Sequence, residues 1–430
     1  MQGCHHRLRL LLVTSLVAVL GAQASAGGLR LQVEPELATV FAALAGAYDG
    51  VLELVDDGAD LVLARGGIDW RDTRSVALTP DARLTRQVDN AAARAFQRFA
   101  TSPAGQRSLI TAGLLPATVT ITDQDGRTFE IAQPVERLAS PYALATYLAY
   151  AVGAGERIVL GNYLGARDPQ GAAAMERIDP RFPELGTVTP EDTTNVEYIA
   201  TLAPDLVFAT ARAEWAAPIE ALGVPVIGFA GESTGRLREA MRIAGRALGP
   251  DAEARAEAWI AYYDHVLASV ERATEHLQTA PSVLFTGTQR TRVASGAMYQ
   301  HALIEAVRAT SVTAHLAGHW NDVDVEQVLK WNPDFILVPQ YGRASVEAIL
   351  EDPQWQLLDA VRAGSVLLVP KLVAPWDTPV PDSVLAIVWL AEQLHGELSG
   401  LHCERETRFF YQRFYDYAIS DEEVAALCRP

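Results

Sequence analysis

Guanidinium groups and large aromatic rings recur in this sequence just after short apolar runs that have the texture of buried strands. In open α/β sheets the ligand crevice lies beyond the carboxyl ends of the strands. Leu138–Ser140 leads to Tyr142, Ile158–Leu160 to Asn162 and Tyr163, and Leu206–Ala209 to Arg212 and Trp215. Farther along, Val283–Phe285 leads to Arg290 and Arg292 with Tyr299 beyond, Phe335–Val338 to Tyr341 and Arg343, and Val366–Val369 to Trp376. Trp320, after Gly318-His319, is a further ring placed to close the same region. Arginine donates forked, permanently charged hydrogen bonds to anionic oxygens, and indole and phenol rings give flat contact area at low entropic cost. Each residue also has a plainer reading, a solvated loop arginine or a core or rim aromatic, and strand-exit position alone does not choose between them.

Other chemistries find less support. After the first 26 residues the histidines are 265, 276, 301, 315, 319, 395 and 402, all from residue 265 onward. A bare-metal site built from imidazoles on both halves of the chain is therefore not expected. His315 and His319 are four apart and would share one face if that segment were helical, which makes them weak candidates for metal ligation. There is no Gly-x-Ser-x-Gly elbow, no phosphate-binding loop and no His-Glu-x-x-His, and Gly161-Asn-Tyr-Leu-Gly-Ala is not a dinucleotide fingerprint. No catalytic residue is assigned and no enzyme activity is expected.

These residues need a scaffold. Residues 1–26 look like an export signal: Arg7 and Arg9, an apolar stretch from Leu10 to Leu20, then Ala24-Ser25-Ala26. Cys4 precedes the apolar run, so no lipid-attachment cysteine follows it, and a soluble exported product is expected. The remaining chain exceeds the usual size of one core. Its hydrophobic content of 49% suits an ordered protein, and a net charge of −18 argues against nucleic acid or anionic lipid as a partner. Cys403 and Cys428 both lie in the tail, in a compartment that favours a disulfide between them.

Residues 27–116 mix short strands (Val51–Val55, Asp60–Leu63) with helices (Asn90–Phe99, Gly105–Ile110). At Thr118 the texture changes: two alternating runs flank an Asp125-Gly126 turn, and strands and helices then alternate, which means a mostly parallel sheet under helices. A stretch free of Gly and Pro from Ala252 to Leu277 carries apolar residues at helical spacing, a rod of about 40 Å. A second alternating block and an aromatic tail helix follow.

Several segments resemble class III binding proteins of ABC importers, the iron–siderophore, haem and vitamin B12 type, over residues 117–430. The resemblance rests on Thr120-Ile-Thr-Asp-Gln-Asp-Gly-Arg-Thr with Pro134-Val-Glu-Arg-Leu, and on Asn195-Val-Glu-Tyr-Ile-Ala-Thr-Leu-Ala-Pro-Asp-Leu-Val. The latter recurs as Asp324-Val-Glu-Gln-Val-Leu-Lys-Trp-Asn-Pro-Asp-Phe-Ile-Leu-Val. Pro375-Trp376 with Val384–Leu394, and Phe410-Tyr-Gln-Arg-Phe-Tyr-Asp-Tyr, are similar to segments of the iron-complex branch. Residues 95–107 and Ala112-Gly-Leu-Leu-Pro instead resemble the last helices of oxyanion-binding proteins, and 27–116 is taken as a remnant of such a domain with no assigned activity.

The resemblance implies two Rossmann-like lobes (117–250 and 279–398) joined by one long helix (251–278), with an extra N-terminal α/β segment and a helical tail (399–430). It implies a periplasmic protein with no intrinsic cofactor. Its cargo is expected to be a ferric siderophore or similar metal chelate, passed to an importer permease and its ATPase in the inner membrane. Cobalamin, haem or a nickel complex are alternative cargoes. Another alternative is a secreted sensor or enzyme that uses the N-terminal segment as an interaction module. Glu184 and Glu305 are the expected permease-docking carboxylates.

Overall fold

The computed structural model describes residues 28–164, 168–187, 195–341, 345–396 and 400–429. The export segment and Arg343 therefore lie outside the described residues. The chain divides into two compact units. One holds the N-terminal region together with residues 129–136 and 245–258, and the other holds 122–128, 137–244 and 259–430.

The first unit has a core of its own. Five strands, β1 (Leu29–Val33), β2 (Leu52–Leu54), β3 (Leu61–Arg65), β4 (Ser75–Thr79) and β5 (Ala82–Arg86), form a sheet in the order β2-β1-β3-β5-β4. β1 runs parallel to β2 and β3, while β5 is antiparallel to β3 and β4. Alternation sets the inner face: Leu29, Leu31, Leu61, Leu63 and Leu84 pack with Phe41, Phe96 and Leu109 from helices Ala38–Ala45, Ala91–Thr101 and Pro103–Thr111. Asn90 and Ser102 cap the latter two helices. Within this unit the Ala77 amide donates to Asp251 Oδ1 at 2.9 Å, Arg107 pairs with Glu136 at 2.6 Å, and Gln133 Nε2 donates to the Ala247 carbonyl at 3.0 Å.

β6 (Thr118–Thr122) and β7 (Thr128–Ala132) form the hairpin expected around Gly126, whose φ of +78° suits the turn. The second unit contains two lobes. In the first, β8 (Leu138–Ser140), β9 (Ile158–Gly161), β10 (Gly186–Thr187), β11 (Leu206–Thr210) and β12 (Val226–Phe229) are all parallel in the order β10-β9-β8-β11-β12. The chain runs outward from β8 to β10 and then returns to β11, so the order reverses beside β8.

The second lobe comprises β13 (Ser282–Phe285), β14 (Arg292–Ala294), β15 (Thr310–Ser311), β16 (Trp320–Asp322), β17 (Phe335–Val338) and β18 (Val366–Leu368). Its parallel sheet has the order β15-β13-β17-β18, again reversing beside the first strand, while β14 and β16 pair separately as an antiparallel ribbon. Parallel strands covered on both faces read as unbroken apolar runs, which is why Phe335–Val338 and Leu206–Thr210 are legible without alternation.

The connecting helix is Pro250–Thr274, 25 residues, which starts before and stops short of the stretch expected from composition. Pro250 opens it and Asp251 and Glu253 lie in its first turn, while Gly249, at φ +104°, separates it from helix Thr234–Leu248. The tail helices Cys403–Phe414 and Asp421–Cys428 are joined by a Cys403–Cys428 disulfide. Among the described residues no helix is long and apolar enough to cross a membrane.

Candidate functional site

In each lobe the strand ends beside the reversal of order are where a ligand crevice is expected. In the first lobe three candidate residues follow those strands. Tyr142 leaves β8, and its half-buried hydroxyl bonds Thr210 at the end of β11. Burial, with the Glu232 carboxylate nearby, pushes its phenol up to about 12, so it stays protonated at neutral pH. Arg212 follows β11 in left-handed backbone (φ +58°), held there by its amide bond to Asp125 Oδ2 at 2.7 Å. Its side chain is exposed, and it has no ion pair among the described residues. Trp215 is half-buried against the cluster of Val207, Ala209 and Ile219. Tyr142, Arg212 and Trp215 thus keep surface to offer.

Tyr163 does not, and this corrects its assignment. It is 6% exposed, its hydroxyl lies 3.1 Å from that of Tyr150, and its ring stands edge-on to Phe182 at 4.9 Å. An aromatic two residues past a strand has turned back into the core.

The second lobe requires more corrections. Arg290 pairs with Asp352 at 2.6 Å and also donates to the Ala348 carbonyl. Arg292 sits in β14 directly opposite Asp322 of β16 and pairs with it at 3.2 Å. Both guanidinium groups are already neutralised by protein carboxylates. Tyr299 is fully buried, its hydroxyl 3.1 Å from Tyr263 and 2.7 Å from Ser383, and Trp376 is likewise sealed in the core. Tyr341 is half-buried with its hydroxyl on Asp377 Oδ2 at 2.6 Å. Trp320, also half-buried, lies so close over Gly287 that a Cβ there would approach the indole to 2.7 Å. His315 is exposed in a turn, edge-on to Trp331 at 6.0 Å, and His319 is exposed in a bend. The segment is not helical, so the spacing that made the pair a metal candidate loses its meaning. Among the described residues no cluster of three or more His, Cys, Asp or Glu is arranged for a metal ion. Glu184 is exposed in a single 3₁₀ turn, and the exposed Glu305 lies 3.4 Å from His301 Nε2 on helix Tyr299–Ala306.

Residues between the lobes escaped the strand-exit reading. Tyr147, fully buried, donates its hydroxyl to the Val373 carbonyl at 2.6 Å and accepts the Leu164 amide at 3.0 Å. Glu232 Oε2 accepts the Tyr299 amide at 3.3 Å, at the start of a second-lobe helix. Lys371 reaches Asp168 Oδ2 at 3.6 Å. Gly231 lies against both Leu144 and Pro379, with no room for a Cβ. Lys371 carried a signal that was available: it is one of only two lysines in the chain and follows a strand.

Arg212 offers an exposed charge, Tyr142 a protonated hydroxyl, and Trp215, Trp320 and Tyr341 half-buried rings, the group types that an anion-bearing, flat-sided solute would use.

Comparison with known proteins agrees with the two-lobe fold. A family model described as "Periplasmic binding protein" matches residues 142–372. The Molybdate-binding protein MolA of Haemophilus influenzae is 25% identical over 334 residues, 71% of this chain and 93% of its own length. A Vitamin B12-binding protein of Pectobacterium atrosepticum is 25% identical over 227 residues, 51% of this chain and 76% of its own. Among solved structures, a periplasmic solute binding protein from Veillonella parvula superposes with a TM-score of 0.65 at 22% identity, covering 72% of this chain and 97% of that one. MolA bound to molybdate gives 0.61 at 20% identity, covering 70% of this chain and 99% of its own. These two superpositions speak for the fold alone.

Proposed function

We propose, from the premise that the chain belongs to the periplasmic binding protein family, that its cargo is an anionic metal chelate of the ferric-siderophore kind, taken up between the two lobes. Proteins of this family work with the permease and ATPase of an ABC transporter. The observation that carries the cargo reading is the exposed guanidinium of Arg212, which has no ion pair among the described residues, and supporting it are the half-buried rings of Trp215, Trp320 and Tyr341 near strands of the two lobes. A chelated metal presents anionic oxygens on an apolar-edged body, and both features find partners there. Residues 1–26 would direct export to the periplasm and then be removed. Exposed Glu305 and Glu184 would meet basic residues of the permease, and reversing the charge of Glu305 should abolish transport while leaving cargo affinity unchanged.

A second reading is favoured by one specific observation. The relative matched over 93% of its length is a molybdate-binding protein, and an exposed guanidinium such as that of Arg212 suits a small dianion as well as a chelate. A thermal-shift panel of ferric siderophores, haem, cobalamin, a nickel complex and molybdate separates these. A ligand at a hundred times its Kd stabilises the folded state by about 2.7 kcal/mol. A shift with a ferric siderophore and none with molybdate supports the chelate, and the reverse pattern replaces it with the oxyanion.

A further inference from the structure

The second lobe buries a carboxyl group that no cation balances among the described residues. Asp377 is 1% exposed. Its Oδ2 accepts the Tyr341 hydroxyl at 2.6 Å and Gln300 Nε2 at 3.3 Å, while Oδ1 has no hydrogen-bond partner among the described residues. Gln300, 4% exposed, likewise leaves its Oε1 unpartnered. Both side chains line one small cavity of about 10 Å³, otherwise walled by apolar residues such as Phe285, Leu337 and Trp389. No arginine, lysine or histidine lines it. The nearest imidazole in sequence, His301, directs Nε2 to Glu305.

An ionised Asp377 would set a bare carboxylate oxygen and a bare amide oxygen against the same apolar hollow. A buried charge without a counter-ion costs several kcal/mol, and the usual relief is to take up a proton. A proton on Oδ1 turns one of the two orphan acceptors into a donor, which the other, or one water in the hollow, can accept. Burial accordingly pushes the Asp377 carboxyl upward.

We infer that Asp377 is held as a neutral carboxylic acid and is a positioning residue for Tyr341, turning the phenol hydroxyl inward so that cargo meets the ring rather than the hydroxyl. This rests on the reading that Tyr341 faces the cargo. It sharpens that reading, because a ring with its hydroxyl committed selects for a flat or apolar edge on the ligand, which a chelate has and a bare oxyanion lacks.

The acid and the positioning are tested on the protein without cargo. The infrared difference spectrum of wild type minus Asp377→Asn at neutral pH should show the carbonyl stretch of a protonated carboxyl, shifting in D₂O. Loss of a carboxylate stretch instead overturns the neutral acid. In spectra of ¹³C-tyrosine-labelled protein, with the Tyr341 ring signals identified through Tyr341→Phe, Asp377→Asn should leave those signals in place and Asp377→Ala should move them. Equal displacement by both overturns the positioning role, since a neutral isostere ought to suffice. With a ferric tricatecholate as probe, Tyr341→Ala and Asp377→Ala should each lower affinity about tenfold without adding, and Asp377→Asn should not. Unchanged affinity in Tyr341→Ala, with the two cargo-free results intact, refutes the cargo reading alone.

Discussion

Asp382 lies at the start of helix Ser383–His395 with both carboxylate oxygens taken, by Tyr411 at 2.8 Å and Tyr415 at 2.5 Å. Burial raises it and the two phenols pull it down, for a balance of about 6. In the unfolded chain it would titrate near 3.9. The folded value is the higher one, so the contribution is a stability present below about pH 4 and lost as the pH rises through 6, about 3 kcal/mol at most. Asp382→Asn removes the titration. The stability of wild type relative to this variant, from urea unfolding, should fall by up to that amount between pH 4 and pH 7, and a gap independent of pH would contradict it. Arg212 is the other residue with a definite expectation. Arg212→Ala should weaken cargo binding about tenfold, the worth of one charge-assisted hydrogen bond, with little effect on Tm because the side chain is exposed. Single residues were the least legible part of the sequence. Whether an arginine is free depends on carboxylates far along the chain: Asp352 claims Arg290 and Asp322 claims Arg292, and neither pairing shows in local spacing.

Elements were far easier to read. Phe335–Val338 is found with the bounds expected from its unbroken apolar run, and Asp324 caps the helix Val325–Trp331 that precedes it. Strands Leu29–Val33 and Ala82–Arg86 are hard to read because charged or polar residues alternate with their core positions, and Ser75–Thr79 because its apolar run is only three residues long. Helix Pro169–Ile178 was also missed, although Asp168-Pro169 is a start signal. Two junctions carry expectations. Gly249 has a left-handed backbone, and an added Cβ would lie 2.7 Å from the Gln106 amide, so Gly249→Ala should cost about 2 kcal/mol through backbone alone, more if Gln106 cannot move. Calorimetry showing no loss would mean that the turn into the connecting helix is adaptable. The Cys403–Cys428 bridge closes a 25-residue separation. Replacing both cysteines by serine should lower stability by about 3 kcal/mol, on the chain-entropy account, in denaturant titrations.

At the scale of the molecule, the N-terminal unit has its own sheet and core, and residues 245–258 belong to that unit through Asp251, which accepts the Ala77 amide and pairs with Arg255 at 3.0 Å. Deleting the N-terminal region would therefore strip an amide donor from the first turn of the connecting helix, and a simple bead-like role for it is not expected. The broad architecture, alternating strands and helices around one long rod, was readable because it depends on pattern and length. The closure between the lobes was not, because Tyr147, Glu232 and Lys371 act through main-chain carbonyls and amides or a distant carboxylate. The most direct test of the central claim is a calorimetric titration of the exported protein with a ferric siderophore, run in parallel on wild type and Arg212→Ala. Saturable binding to wild type, about tenfold weaker in the variant, is the expected result. Heat of equal size and midpoint in both, or binding of molybdate with none of any ferric chelate, would contradict it.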